Sequence, residues 1–537
     1  MDKGRCWNLR VLAAFCLLAT MTVQAVELSG QVFADRDRNG RLDPDETGIA
    51  GVAVSNGLAV VLTDDEGRYA IEVADGETLF ITKPEGYLPA LDAFNLPRFH
   101  FTLKTSPPRQ DLGYPELEPQ GIPAGGKLDF PLHPQDESKP FTVLWTSDPQ
   151  PRNGEELTFV RDDVLVELMG TDAAFGLTTG DIMFDDLSLM PRYRALFGRV
   201  GIPWFNVPGN HDMNFKAEND AASLQTYRRY LGPAYYSFNW GKTHFVILDC
   251  IYFKGADPSG SNGTRPYEGR IDARQLEWLR ADLQHVPKDR LVVLVTHIPF
   301  KIQGQNDPNF SIQNRAEVFA LLEGFEHVFA VAGHLHRTQH VYIGREDGYP
   351  GETPLHQHIL ATIAGNWWSG DKDDRGIPYT IQADGTPNGY HLMQVNGTDY
   401  RVGYRAAGKS YEYQMRLMIE LQPDGGLISA VKTTQLQQAR LLVNLFDGGN
   451  NSRLVFRMDD GEPQEMHQEL RSDPFAFASY VNRKVFNAGV ETPSTHLWAA
   501  SLPRNLQPGA HVIMVDAVDE YGGKHRGYGI LEVLEPE

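Results

Sequence analysis

Cysteine is scarce in this chain of 537 residues: only Cys6, Cys16 and Cys250 occur. The first two fall within the first 25 residues, so the remainder carries one thiol and no partner for an internal disulfide. Cys250 follows Phe245-Val246-Ile247-Leu248 and reads as a buried core thiol, not as a nucleophile. Long apolar runs are also missing. The run Val11 to Val23 falls short of the roughly 20 residues a membrane-spanning helix needs. No cluster of Lys and Arg occurs, and 49 basic against 70 acidic side chains leave a net charge of -21. Such a surface repels polyanions, so no nucleic-acid partner is expected. No internal repeat is evident, and oligomeric state is not written in the pattern.

What the chain has is glycine (51), proline (34) and 10% aromatics, the composition of β-structure joined by many turns. Its length suggests about three domains. Lys3, Arg5 and Arg10, then the apolar run and Val23-Gln24-Ala25, form a secretory signal pattern. Residues 1–25 are therefore expected to leave, with a mature start near Val26, no membrane span, and a periplasmic or secreted bacterial destination.

Residues 26–105 read as an N-terminal β-sandwich. The runs Leu58–Leu62 and Arg68–Val73 around Asp64-Asp65-Glu66-Gly67 suggest a hairpin. Ahead of them, Asp35, Asp37, Asn39, Arg41, Asp43 and Glu46 fall at the ligand positions of an EF-hand calcium loop, with Gly40 at the tight turn. Strand-like flanks argue against helix-loop-helix, and a solvated acidic turn reads the same way. Residues 106–138, rich in Pro, read as a semi-rigid linker. Residues 139–345 alternate strand-like and helix-like stretches, including helices near Ala273 to Leu283 and Gln313 to Leu322. Residues 346–537 return to short runs and turns, a C-terminal β-rich domain.

In the central region five apolar runs end in polar residues. Thr142-Val143-Leu144-Trp145 leads to Asp148, and Ala174–Leu177 leads to Gly180-Asp181. Ile202–Val207 leads to Gly209-Asn210-His211-Asp212, Leu291–Val295 to Thr296-His297, and Val328–Val331 to Gly333-His334-Leu335-His336. Singly, each is an ordinary cap, turn or core histidine. Together, because ligands gather at the carboxyl ends of strands in α/β folds, they predict one shared site. Mixed His and carboxylate donors suit Mn, Fe or Zn better than Mg or Ca.

These motifs, with Asp148-Pro149-Gln150, resemble the calcineurin-like metallophosphoesterases over about residues 139 to 345. The resemblance implies an α/β four-layer sandwich of two mixed sheets flanked by helices. It implies that Asp148, Asp181 and His336 hold one divalent ion, and that Asp181, Asn210, His297 and His334 hold another, with Asp181 as the bridge. Two ions a few ångströms apart need such a shared anion, and together they turn a bridging water into a hydroxide nucleophile. His211 would act on the phosphoester substrate, with Asp212 orienting it. Most relatives carry His where this chain has Gln150. Gln offers a neutral carbonyl ligand or an outer hydrogen bond, and a subset of the family reads Asp-Pro-Gln here.

Ala364-Gly365-Asn366-Trp367-Trp368 and Asp384-Gly385-Thr386-Pro387-Asn388 resemble segments of multi-domain bacterial members that carry β-domains at both ends. Trp367, Trp368 and Asn388 read either as substrate contacts or as domain-interface packing. The expected activity is hydrolysis of phosphate mono- or diesters. The alternative is a weakly catalytic cell-surface binding protein on the same scaffold.

Overall fold

The computed structural model describes residues 25–108, 112–256, 266–304, 306–422, 426–481 and 493–536. The expected signal segment, with Cys6 and Cys16, lies outside them. Among the described residues no helix is long and apolar enough to cross a membrane.

Two sheets form the central core. The first runs Trp204–Asn206, Phe175–Thr178, Phe141–Thr146, Gly389–Asn396, Asp399–Ala406. Its first three strands are parallel and the last two antiparallel. The second runs Tyr236–Trp240, Thr243–Ile247, Leu291–Val295, His327–Ala332, Leu355–Ile359, Gln339–Ile343, with parallel pairing through its middle. Strands such as Leu291–Val295 are buried throughout, as parallel strands covered on both faces must be. Helices such as Met190–Phe197 and Ala273–Leu283 accompany the sheets, the latter capped by Asp272, whose side chain accepts from the Gln275 N–H. The two mixed sheets with helices are the expected fold class. Helix Arg315–Ala320 is shorter than the stretch from Gln313 to Leu322 suggested.

Aromatic rings join the sheets. Phe175 of the first meets Trp240, Phe245 and Phe238 of the second at centroid distances of 4.8, 5.2 and 5.4 Å. Phe205 stacks on Phe238 at 4.0 Å. Truncating a ring so enclosed costs about 3–5 kcal/mol.

The N-terminal unit is a sandwich of two four-stranded sheets. The hairpin expected around Asp64–Gly67 does not form. Val60–Leu62 pairs with Ala53–Ser55 in one sheet, while Arg68–Val73 pairs with Val26–Gln31 in the other. The turn is a crossover between layers. Gly67, at φ 77°, lets the chain pass close under Val32, whose N–H donates to the Gly67 carbonyl at 2.8 Å. The expected linker also contributes structure: Phe130–Pro134 pairs parallel to Val32–Ala34. Likewise the core sheets run past residue 345, since Leu355–Ile359 and the strands from Gly389 to Ala406 belong to them. The remaining C-terminal strands, Met415 to Leu534, make a sandwich of two five-stranded sheets around Leu441, Val443, Phe456, Val515 and Leu531.

Buried polar contacts fix the units to the core. Lys83 of the N-terminal sandwich donates to Glu137 at 2.6 Å and to the Asn239 carbonyl at 2.7 Å. Asp384 accepts from the Thr338 N–H at 2.7 Å and pairs with His496 of the C-terminal sandwich at 2.9 Å. Cys250 is buried, and its sulfur accepts the Ile298 N–H at 3.1 Å.

Candidate metal centre

Each of the five strand ends delivers its side chains to one place. Asp148 follows Phe141–Thr146, Asp181 follows Phe175–Thr178, Asn210 and His211 follow Trp204–Asn206, His297 follows Leu291–Val295, and His334 and His336 follow His327–Ala332. Adjacent parallel strands in register bring these loops to the same edge. The turns are tight. Of eleven described non-glycine residues at positive φ, eight are Asp148, Gln150, Asp181, Asp185, His334, His336, Trp367 and Trp368. Such conformations cost about 1–3 kcal/mol each and persist where surroundings dictate them, characteristically at functional sites. Gly180, at φ 89°, is needed for a second reason: a Cβ there would stand 2.6 Å from the His297 ring.

The first cluster is a convergence of lone pairs. His297 Nδ1 lies 2.8 Å from the Thr179 carbonyl, to which it donates, so Nε2 is the nitrogen turned toward the cluster. Around that Nε2 stand Asp181 Oδ1 at 3.2 Å, Asn210 Oδ1 at 3.1 Å and His334 Nδ1 at 3.1 Å. His334 turns its other nitrogen to the Asn309 carbonyl at 2.9 Å. Four donor atoms thus face one another with their N–H groups directed outward. Such an arrangement is repulsive without a cation at its centre. Ligands about 2.0–2.1 Å from a tetrahedral ion lie about 3.3 Å apart, close to these spacings. The residues fit a transition metal.

Asp148 and His336 stand next to this cluster, the His334 N–H lying 3.2 Å from Asp148 Oδ1. His336 Nδ1 meets the Gly365 carbonyl at 2.5 Å, leaving Nε2 buried, without a hydrogen-bond partner among the described residues, and 3.6 Å from Asp148 Oδ1. Outward N–H anchoring of ligating imidazoles by carbonyls is the usual support of a metal site. Ser147 Oγ donates to Asp148 Oδ2, and the His334 N–H lies 3.1 Å from the same oxygen.

The electrostatics follow from burial. Burial alone raises the Asp181 carboxyl, but His297 and His211 more than reverse this and hold it below the usual range. Burial alone lowers His297; Asp181 overcomes it and raises it to about 9. Burial, aided by His297, takes His334 down to about 3. Burial raises Asp148. Without a metal, one proton on His297 serves as the cluster's cation.

Gln150 is not arranged as a ligand. Its carbonyl oxygen accepts the Trp367 indole N–H at 2.6 Å, and its amide nitrogen donates to Asp181 Oδ2. It links Trp367 to the bridging carboxylate. Trp367 therefore supports the site from behind, its ring 4.6 Å from that of His336. Trp368 and Asn388 are structural. Trp368 is buried against Phe159 at 5.7 Å, and Asn388 Nδ2 donates to Asp163 at 2.9 Å and to the Ile363 carbonyl at 3.2 Å.

His211 stands beside the cluster, its N–H on Asp181 Oδ1 at 2.9 Å and its Nε2 3.8 Å from Asp181 Oδ2. Asp212 does not orient it. The Asp212 carboxylate is taken up by the backbone N–H groups of Ile182, Met183 and Gly209 at 3.1, 2.9 and 2.9 Å, bracing two of the site loops. The orienting carboxylate is Asp185, whose Oδ1 lies 2.9 Å from His211 Nδ1, while Phe184 packs on the ring at 4.4 Å. No sequence motif marks Asp185. It reaches His211 because the loop after Asp181 turns back through positive φ at 69°.

In the N-terminal sandwich Asp35, Asp37 and Glu46 bring carboxylate oxygens within 4.8 Å of one another. Asn39 accepts the Arg41 N–H at 2.7 Å and donates to Asp43 at 2.7 Å.

A fold of two mixed sheets with clustered Asp, Asn and His at their strand ends defines a metallophosphoesterase. Three family models match in chain order: the N terminal of calcineurin-like phosphoesterase over residues 36–114, calcineurin-like phosphoesterase over 141–338, and the C terminal of calcineurin-like phosphoesterase over 357–525. The chain belongs to the calcineurin-like phosphoesterases, in a form carrying all three parts. A 3',5'-cyclic-nucleotide phosphodiesterase of Nostoc sp. is 24% identical over 168 residues, 30% of this chain and 55% of that protein. Cell division control protein 1 of Saccharomyces cerevisiae is 26% identical over 122 residues, 23% of each. The match thus spans about half the length of the first relative and about a quarter of the second. Among solved structures, a dimetal phosphatase from Danio rerio aligns with TM-score 0.33 and 15% identity, over 50% of this chain and 96% of that one. A purple acid phosphatase from yellow lupin aligns with TM-score 0.37 and 12% identity, over 71% of this chain and 67% of that one.

Proposed function

We propose that the protein hydrolyses phosphate mono- or diesters outside the cytoplasm, using two transition-metal ions (Mn, Fe or Zn) with Asp181 between them. The observation that carries this is the convergence of donor atoms from Asp181, Asn210, His297 and His334, beside the buried Nε2 of His336, which has no hydrogen-bond partner among the described residues. Bound there, the ions would supply Lewis acidity and an activated water for attack at phosphorus. The protein's own part is positional. Asp181 offers Oδ1 to the first cluster, and Gln150 holds its second oxygen in place, as a carboxylate shared by two ions requires. His211, steadied by Asp185 and Phe184, presents a ring nitrogen beside the centre, where it donates a proton to the leaving oxygen or a hydrogen bond to the phosphoryl group. The Asp35–Glu46 loop takes a structural Ca²⁺, which its oxygen-rich donor set favours.

The test is a panel of an aryl phosphate, a bis-aryl phosphate and a 3',5'-cyclic nucleotide, the last suggested by the Nostoc relative's name. Metal-loaded protein should turn over at least one of the three, and a chelator should abolish this. Metal-loaded protein inert toward the whole panel would favour the cell-surface binding alternative.

A further inference from the structure

A second histidine cluster lies where three parts of the protein meet. His340 and His358 stand opposite one another on paired antiparallel strands of the second core sheet, with rings stacked at 4.1 Å. His391 comes from the first core sheet, its ring 5.1 Å from that of His358. Asp447 comes from the C-terminal sandwich, just beyond the strand Ala439–Leu445. The three histidines are at most 1% exposed and Asp447 is 8% exposed. None of the four belongs to the metal centre described above.

The four converge through particular atoms. Around Asp447 Oδ1 stand His358 Nε2 at 2.9 Å, His391 Nε2 at 3.5 Å and His340 Nε2 at 3.6 Å. These bracket the roughly 3.3 Å expected between ligands of a tetrahedral ion. Of the three, only the first is short enough for a good hydrogen bond to that oxygen, and His340 Nε2 also faces the Asp447 backbone carbonyl at 3.3 Å. The outer nitrogens of two rings are already held. His358 Nδ1 meets Tyr521 Oη at 2.9 Å, and His340 Nδ1 meets His356 Nε2 at 2.9 Å. His391, fully buried, makes no side-chain hydrogen bond among the described residues. A buried polar group left so costs about 1–3 kcal/mol and calls for an explanation. A cation at the centre would engage His391 together with the other two imidazoles and the carboxylate.

We propose that His340, His358, His391 and Asp447 form a structural site for Zn²⁺ or a first-row ion of similar preference, pinning both core sheets to the C-terminal sandwich. Three imidazoles and one carboxylate match such ions and disfavour Ca²⁺ and Mg²⁺. Four protein ligands without solvent leave no open coordination position, which marks a structural and not a catalytic site. The ion would couple C-terminal domain docking to metal supply, since binding energy at such a junction is folding energy.

The test removes the catalytic ligands first. The full chain carrying Asp181→Asn and His336→Ala is dialysed against a weak chelator and its metal counted by elemental analysis. One tightly held transition-metal ion per chain is expected, apart from any Ca²⁺, and adding His391→Phe should release it and lower the melting temperature by several degrees. No retained ion in a folded double variant, or an ion retained despite both His391→Phe and Asp447→Asn, overturns the proposal. If His391→Phe does not fold, Co²⁺ loading of the double variant decides. Intense visible absorption of a four-coordinate ion is expected, and its absence refutes the site.

Discussion

Replacing Trp367 by Phe isolates one atom of the metal centre's support. The ring stays, with its packing at 4.6 Å on His336 and 6.1 Å from Phe184. Lost is the N–H that holds the Gln150 carbonyl at 2.6 Å. Gln150 is 1% exposed, so no solvent replaces that donor directly. Its amide nitrogen, which holds Asp181, is then free to swing away. A hydrogen bond lost with its buried acceptor left bare costs about 1–2 kcal/mol. At 1.4 kcal/mol per factor of ten, metal affinity should fall about five- to thirty-fold, within the range seen for outer-shell changes. Titration against a chromogenic chelator measures it, with kcat and KM taken at saturating metal. KM should stay near the wild-type value, because an aromatic face remains. A raised KM with metal affinity unchanged would refute this reasoning and return Trp367 to the role of substrate contact.

Other expectations follow from the same geometry. Asp181→Asn should be the most damaging ligand change, releasing both catalytic ions, as metal counting of the variant will show. His211→Gln should lower kcat about 10²–10⁴-fold with metals retained; Asp185→Asn should lower it less, and Asp212→Asn should act chiefly on melting temperature by unbracing the Ile182, Met183 and Gly209 N–H groups. Lys83→Met should destabilise the protein by roughly 3–5 kcal/mol, because Glu137 is left buried without its cation; Lys83→Met with Glu137→Leu should recover most of it in thermal melts. Intact mass of exported protein should show a start near Val26, and retention of Met1 would contradict the signal reading.

The catalytic strands were legible because each is an apolar run ending in ligand-type residues, and parallel strands must bring such ends together. Asp148, Asp181, Asn210, His297, His334 and His336 could be read for that reason. What failed was local proximity used as a guide to contact. Asp212 is next to His211 in sequence, yet its carboxylate faces backbone N–H groups across the loop while Asp185 reaches the ring. Gln150 was read with the ligands because of its neighbours, but Trp367, more than two hundred residues away, decides its orientation. The same limit governs the fold. Val60–Leu62 and Arg68–Val73 look like a hairpin, but each finds a partner in a different sheet. Gly389–Ala406 looks like the start of a separate domain, but its strands complete the first core sheet. Long-range pairing leaves no local signature, and the cluster of His340, His358, His391 and Asp447, drawn from three units, shows none at all.

The central claim is that paired transition metals on Asp181 make this chain a phosphoesterase. It is tested most directly by following aryl phosphoester hydrolysis in protein stripped by a chelator and then resupplied with Mn²⁺ or Zn²⁺. Stripped protein should be inactive, activity should return as metal is added, and Asp181→Asn should not recover. Full turnover by the stripped protein, or by Asp181→Asn, would contradict it.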